Sequence, residues 1–154
     1  MTTPRSEMPQ EVTFRVDGVP APGGSKRHVG KGRIIDSCKR NYPWRECVAA
    51  AAMKAIGSGV EPHPKGVALE LEVVFVMPRP KKHYLVDFST VRNSHEHARH
   101  LVKPDRTKLL RAFEDALTGI LWHDDTQIID GCTSKVYVGS DEQPHAMATL
   151  RRIA

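Results

Sequence analysis

No run of apolar residues in this chain approaches the ~18–20 that span a bilayer. The longest, residues 48–53 and 73–77, are far too short, so no transmembrane helix and no membrane partner are expected. Cysteine is scarce as well. Cys38, Cys47 and Cys132 are odd in number, widely spaced and without a C-x-x-C pair, which argues against a disulfide framework and a zinc ribbon. The first ten residues, MTTPRSEMPQ, lack the apolar stretch of a secretory signal and read as a polar lead-in, so the protein is expected to stay in the cytoplasm. Gly23-Gly24-Ser25-Lys26 lacks the G-x-x-x-x-G-K-[ST] spacing of a P-loop, and no nucleotide cofactor is expected. His95, Glu96, His97 and His100 lack the spacing of a closed zinc site and read as exposed loop.

What is present is a chain of 154 residues, 40% apolar and 27% charged, enough for one core and one domain over residues 11–154 behind the lead-in at 1–10. The net charge of +5 says less than its distribution. Residues 21–45 carry Lys26, Arg27, Lys31, Arg33, Lys39, Arg40 and Arg45 against Asp36 alone. Residues 79–111, with Lys81, Lys82 and Lys103, are similarly basic, whereas residues 113–130 hold Glu114, Asp115, Asp124, Asp125 and Asp130 and no Lys or Arg. Basic surface around a small carboxylate group suits a polyanion held while a divalent cation acts on one phosphate. Solvated faces of uneven sign account for the same pattern.

Periodicity supplies the elements. VTFRV at 12–16 alternates before Asp17-Gly18 and reads as a strand; residues 21–36 read as a flexible cationic loop or hairpin. Pro43 suits a first helical turn, and the alanine-rich stretch 44–56 ends before Gly57, giving helix one. Residues 67–77 alternate and then turn continuously apolar, as a strand entering the centre of a sheet does. Residues 79–104 are expected to form a long exposed loop. Leu109, Leu110, Phe113, Ala116 and Leu117 recur at helical spacing, making 106–117 an amphipathic helix two. Residues 127–138 and 146–153 read as two late strands of a hairpin. The order implies an α+β domain, a mixed β-sheet with two main helices packed on it. Trp44 and Trp122 read as core anchors.

The chemistry concentrates in residues 103–130. Pro104 holds Asp105 where a loop turns into helix two, and Asp124-Asp125 follow the helix before the next strand. Asp105 equally suits the helix N-cap, Asp124-Asp125 a polar turn, and Lys108 and Arg111 a solvated face. A 12-residue helix is ~18 Å long, so spacing alone does not bring these acids together.

The pattern KPD-x-x-K-L-L-R-A-x-x-D-A-L-T-G followed by D-D-x-Q-I resembles the RusA family of Holliday junction resolvases. The likeness extends over about residues 12–153, taking in the basic loop from Gly18 to Arg33 and the P-R-P at Pro78 to Pro80. It implies a Mg²⁺- or Mn²⁺-dependent endodeoxyribonuclease that acts as a homodimer on four-way or branched DNA in recombination and repair, of phage or prophage type in a bacterial host. By the same resemblance Asp105 and Asp125 are catalytic acids and, with Asp124, candidate metal ligands; Arg111 falls on the family's basic position, Lys108 stands where Asn is frequent, and Arg111 or Lys108 is the catalytic cation expected to stabilise charge developing on the phosphate. Lys26, Arg27, Lys31, Arg33, Lys81, Lys82 and Lys103 are the expected DNA contacts. Thr107 departs from the pattern, standing where the family has a second acid, and a neutral hydroxyl is a poorer ligand for a hard cation. Asp124, an outward-facing Glu72 or a water on Thr107 can supply what is lost; the alternative is a junction-binding protein with little or no cleavage.

Overall fold

A computed structural model of the chain describes residues 5–23, 26–28, 30–31, 34–36 and 40–154. Arg33, Cys38 and Lys39 lie outside the described residues. The elements run β1 (Glu11–Asp17), β2 (Lys26–His28), β3 (Ile34–Asp36), α1 (Asn41–Ile56), β4 (Leu69–Met77), α2 (Arg106–Leu117), β5 (Ile128–Asp130), β6 (Thr133–Tyr137) and β7 (His145–Arg152). β2 and β3 pair as a small antiparallel hairpin, as the glycine-flanked basic stretch suggests. The main sheet has the order β1-β7-β4, with β5 and β6 both parallel to β4 along its remaining edge. This is the α+β domain with a mixed sheet that the element order implies.

One face of the sheet carries both helices. Alternation puts Val12, Phe14 and Val16 of β1 and Leu69, Leu71, Val73 and Phe75 of β4 on that face, all buried, because successive strand side chains point to opposite sides. From α1 come Trp44, Val48 and Ala52, and from α2 Leu109, Phe113, Ala116 and Leu117. Phe113 is the hub: its ring stacks on Phe14 at 6.1 Å and meets Phe75 edge-on at 5.6 Å. Trp44 and Trp122 are both buried, as core anchors should be. Gly57 closes α1, its N–H bonding the Met53 carbonyl in a positive-φ conformation.

The opposite face is open, and there Arg151 bridges Glu11, Glu70 and Glu72 at 2.8–3.0 Å. Glu72 therefore points away from α2 and is engaged elsewhere, which removes it as a source of the charge missing at Thr107.

Two expectations fail for topological reasons. The late strands do not form a hairpin: β4 lies between them, with β6 parallel on one side and β7 antiparallel on the other. Alternating patterns identify strands without naming their partners. The segment expected as one strand over 127–138 is also broken at Gly131, where β5 stops and β6 begins. Gly131 has φ +136, and a Cβ there would lie 1.9 Å from the Leu71 carbonyl oxygen, so only glycine permits the crossing.

Residues 79–104 are irregular but anchored rather than wholly exposed. The Arg79 guanidinium donates to the carbonyls of Val138 (2.5 Å), His95 (2.7 Å) and Glu96 (3.3 Å). His83 and His100 are buried; His83 stacks on His95 and His100 packs on Tyr137. The exposed reading of the histidine loop holds for His97 and fails for His100.

Candidate active site

Helix α2 is the platform. The Lys103–Pro104 peptide is cis, and the helix starts two residues later with Asp105 at the N-cap in extended conformation. Its backbone carbonyl accepts from Lys108 and Leu109, but its side chain makes no capping bond. The exposed carboxylate is thus not spent on the helix terminus. Lys135 of β6 fixes this corner by donating to the carbonyls of Val102 (2.6 Å) and Pro104 (2.9 Å), and Arg106 reaches the Thr133 carbonyl at 3.1 Å.

Thr107, Arg111 and Glu114 follow one another at i, i+4 and i+7, which is one face of a helix. They border a groove of about 490 Å³ with Leu110 and Asp115, and Asp125 stands at its far end. The Asp125 Oδ1 accepts from the Trp122 indole N–H at 3.1 Å and from the Thr118 hydroxyl. No donor reaches Oδ2 among the described residues, so one carboxylate oxygen is left to the groove. Trp122 is buried beneath, which makes the indole a rigid donor and sets the direction of Asp125.

Glu114 is the functional candidate that sequence reasoning passes over. Burial first, then the Asp125 and Asp115 charges, push its carboxyl up to about 6. A carboxyl disfavoured by burial and by an acid across a groove is relieved by a cation. Mg²⁺ takes one or two carboxylates, keeps waters and completes its shell with substrate phosphate. The Asp125–Glu114 donor set fits that demand. The signal was in the sequence, since Glu114 lies seven residues after Thr107 and three after Arg111 on one helical stripe.

Asp124 is occupied differently. Its side chain accepts from the Thr126 N–H at 2.9 Å, while Gln127 Oε1 accepts from the Asp124 N–H at 3.0 Å, a reciprocal cap of the 3₁₀ turn Asp125–Gln127. The Thr126 bonds hold the Asp124 carboxyl below its usual range. Buried Gln127 also accepts from the His123 N–H and donates to the carbonyls of Pro64 (2.9 Å) and Val67 (3.2 Å). The D-D-x-Q spacing is thereby explained locally: one acid and the glutamine build the turn that presents Asp125.

Asp105, Asp124 and Asp125 are not gathered into one cluster. Among the described residues no three His, Cys, Asp or Glu side chains are arranged to hold a metal ion, and Asp105 and Asp125 stand at opposite ends of α2. Lys108 is exposed beyond the groove, but its carbonyl accepts from the Gly23 N–H at 2.9 Å. A Cβ on Gly23 would lie 3.8 Å from the Arg111 side chain. Gly23, which precedes the basic hairpin in sequence, therefore packs on α2 beside Arg111. Lys26 and Arg27 lie in β2, Lys31 is exposed in the turn of the hairpin, Lys81 and Lys82 sit exposed in a 3₁₀ turn, and Lys103 adjoins Asp105.

A family model described as endodeoxyribonuclease RusA matches residues 17–146, which takes in β2 to the start of β7. No curated protein matches the chain.

Proposed function

The chain belongs to the RusA endodeoxyribonuclease family, which implies endonuclease activity on Holliday junctions, and on that premise we propose that it is a divalent-metal-dependent, structure-selective nuclease whose chemistry runs in the groove along α2. The observation that carries this reading is the Asp125–Glu114 carboxylate pair beside Arg111, on the helix against which Gly23 packs.

Asp125 and Glu114 hold Mg²⁺ or Mn²⁺ in this proposal. When bound, the ion supplies a polarised scissile phosphate and a water of lowered pKa for in-line attack. Trp122 and Thr118 orient Asp125 through its Oδ1. Arg111, between Thr107 and Glu114, is the fixed cation for charge developing on the phosphate oxygens. Glu114 restores on the same helical face the negative charge that Thr107 lacks. Asp105, whose carboxylate makes no hydrogen bond among the described residues, remains a candidate ligand at the other end of the helix. Lys103, Lys81, Lys82, Lys108 and the hairpin residues Lys26, Arg27 and Lys31 track the DNA backbone, where each phosphate neutralised strengthens binding and its salt dependence.

We place the protein as a homodimer, because two-fold symmetry offers two sites to the two strands cut at a four-way junction. Its setting is recombination or repair in the bacterial cytoplasm, as for a phage-type member. Among the described residues no helix is long and apolar enough to cross a membrane.

The test is a labelled synthetic four-way junction with Mg²⁺ or Mn²⁺. Paired symmetrical nicks that vanish in Asp125→Asn and Glu114→Gln are the expected result. A shifted band without nicks at any metal concentration leaves a junction-binding protein. Thr107→Asp raises the rate if the departure limits cleavage and leaves it unaltered if Glu114 already supplies the charge. Asp105→Asn against Asp125→Asn, read by Mn²⁺-dependent thermal stabilisation, tells which end of α2 carries the metal.

A further inference from the structure

Beside Asp105, on the far side from the groove, two cavities meet. One, of about 470 Å³, is bordered by Arg99, His97, Glu96 and Lys135. The other, of about 400 Å³, is walled by Val19, Pro20, Pro78 and Pro104 with Arg40 and Lys103. They share Arg79, His100 and Tyr137 as their common wall. Both volumes fall within the ~300–1,000 Å³ of small-molecule sites.

The chemistry of the two halves differs. The first holds three cations, Arg79, Arg99 and Lys135, against the single acid Glu96. Arg79 and Lys135 already give their N–H groups to backbone carbonyls, so they contribute field rather than contacts. Arg99 is exposed and its guanidinium makes no hydrogen bond among the described residues, which leaves its planar donor fork for a phosphate. His100 is only 7% exposed, and its ring packs on Tyr137 at 4.8 Å to complete the wall between the two halves. The second cavity has flat proline and valine walls, the ring of Tyr137, over which the Arg79 guanidinium lies at 5.3 Å, and no acidic residue. That combination suits a nucleobase, whose face stacks on aromatic and apolar surface while its phosphate lies on cations.

We propose that the adjoining cavities around His100 and Tyr137 bind one unpaired nucleotide of the DNA strand passing Asp105, with the phosphate on Arg99 and the base against the proline-lined wall beside Tyr137. This rests on the junction-nuclease reading for its substrate, since strands must part at an exchange point. A strand rather than a free nucleotide is the occupant because Pro104, which forms part of the second cavity, directly precedes Asp105, and Lys135 ties the first cavity to the same corner.

The experiment uses the full chain in EDTA, with fluorescence anisotropy of a fluorescein-labelled ten-residue oligothymidylate, of the same strand with abasic central positions, and of free thymidine monophosphate as competitor. Arg99→Ala and the abasic strand should each weaken binding about tenfold, as loss of a stacked base or of a phosphate contact does. Arg92→Ala, an exposed arginine outside both cavities, should change it less than about twofold. Equal losses at Arg99 and Arg92 overturn the pocket, as does equal affinity for the abasic strand. Thymidine monophosphate binding as tightly as the strand also overturns it, making the site one for a free nucleotide. Junction nicking with base-independent strand binding leaves the enzyme reading standing and the pocket refuted. Arg99-dependent, base-dependent strand binding without junction nicking does the reverse.

Discussion

Glu114→Gln in the metal-free protein should stabilise it at neutral and alkaline pH and do nothing at pH 4. Burial and the facing Asp125 raise the Glu114 carboxyl from 4.5 to about 6, so the fold prefers the protonated acid. A raised acid costs stability in its charged form. Below the unfolded value of 4.5 the side chain is protonated in both states and the cost is nil; it grows as pH climbs from 4.5 through about 6 and is constant above. At about 1.4 kcal/mol per tenfold in proton affinity the full cost is about 2 kcal/mol, and the half-solvated groove lowers it to about 1 kcal/mol. Glutamine has the same shape and no charge, so it recovers that amount. For a domain of this size the gain is about 2–4 °C in Tm. Thermal or urea unfolding of both proteins in EDTA between pH 4 and pH 8 measures it. An equal gain at both ends, or a loss at pH 8, refutes the claim that burial and the facing Asp125 burden Glu114. Adding Mn²⁺ at pH 8 should then stabilise the native protein more than Glu114→Gln, because only the former keeps both carboxylates.

Gln127→Leu strips the acceptor from two backbone N–H groups and the donor from the Pro64 and Val67 carbonyls; chemical denaturation should show a loss of about 2–3 kcal/mol, and nicking should fall as the Asp125 turn loosens. Gly131→Ala forces a methyl into the Leu71 carbonyl and should lower stability by more than about 3 kcal/mol or prevent folding, which expression and circular dichroism will report. Asp87, held at about 2 by the N–H groups of Thr90 and Ser89 and then the Thr90 hydroxyl, supports its turn above about pH 4 and loses that support as pH falls through about 2. Its carboxyl carbon shift in an NMR titration should have its midpoint near 2, and a midpoint near 4 would show that the turn does not form.

The sequence by itself determined the local alphabet of this protein. Alternation at 12–16 and 67–77, the helical stripe of 106–117 and the glycine after residue 56 each express a steric period or a φ requirement that needs no distant partner. The motif around Asp105 and Asp124-Asp125-x-Gln127 was equally plain, and with it the nuclease family. Tertiary structure alone decided which strands became neighbours, since the alternation in 133–137 and 145–152 is satisfied by any partner that buries the same face. It placed β4 between the two and turned Glu72 to Arg151. The acid pair was likewise a tertiary matter: Glu114 and Asp125 are eleven residues apart and meet only because Trp122, buried in the core, folds the turn back against Thr118. Charge follows residue type and can be read along a chain, whereas the distance between two charges depends on how helices and strands pack.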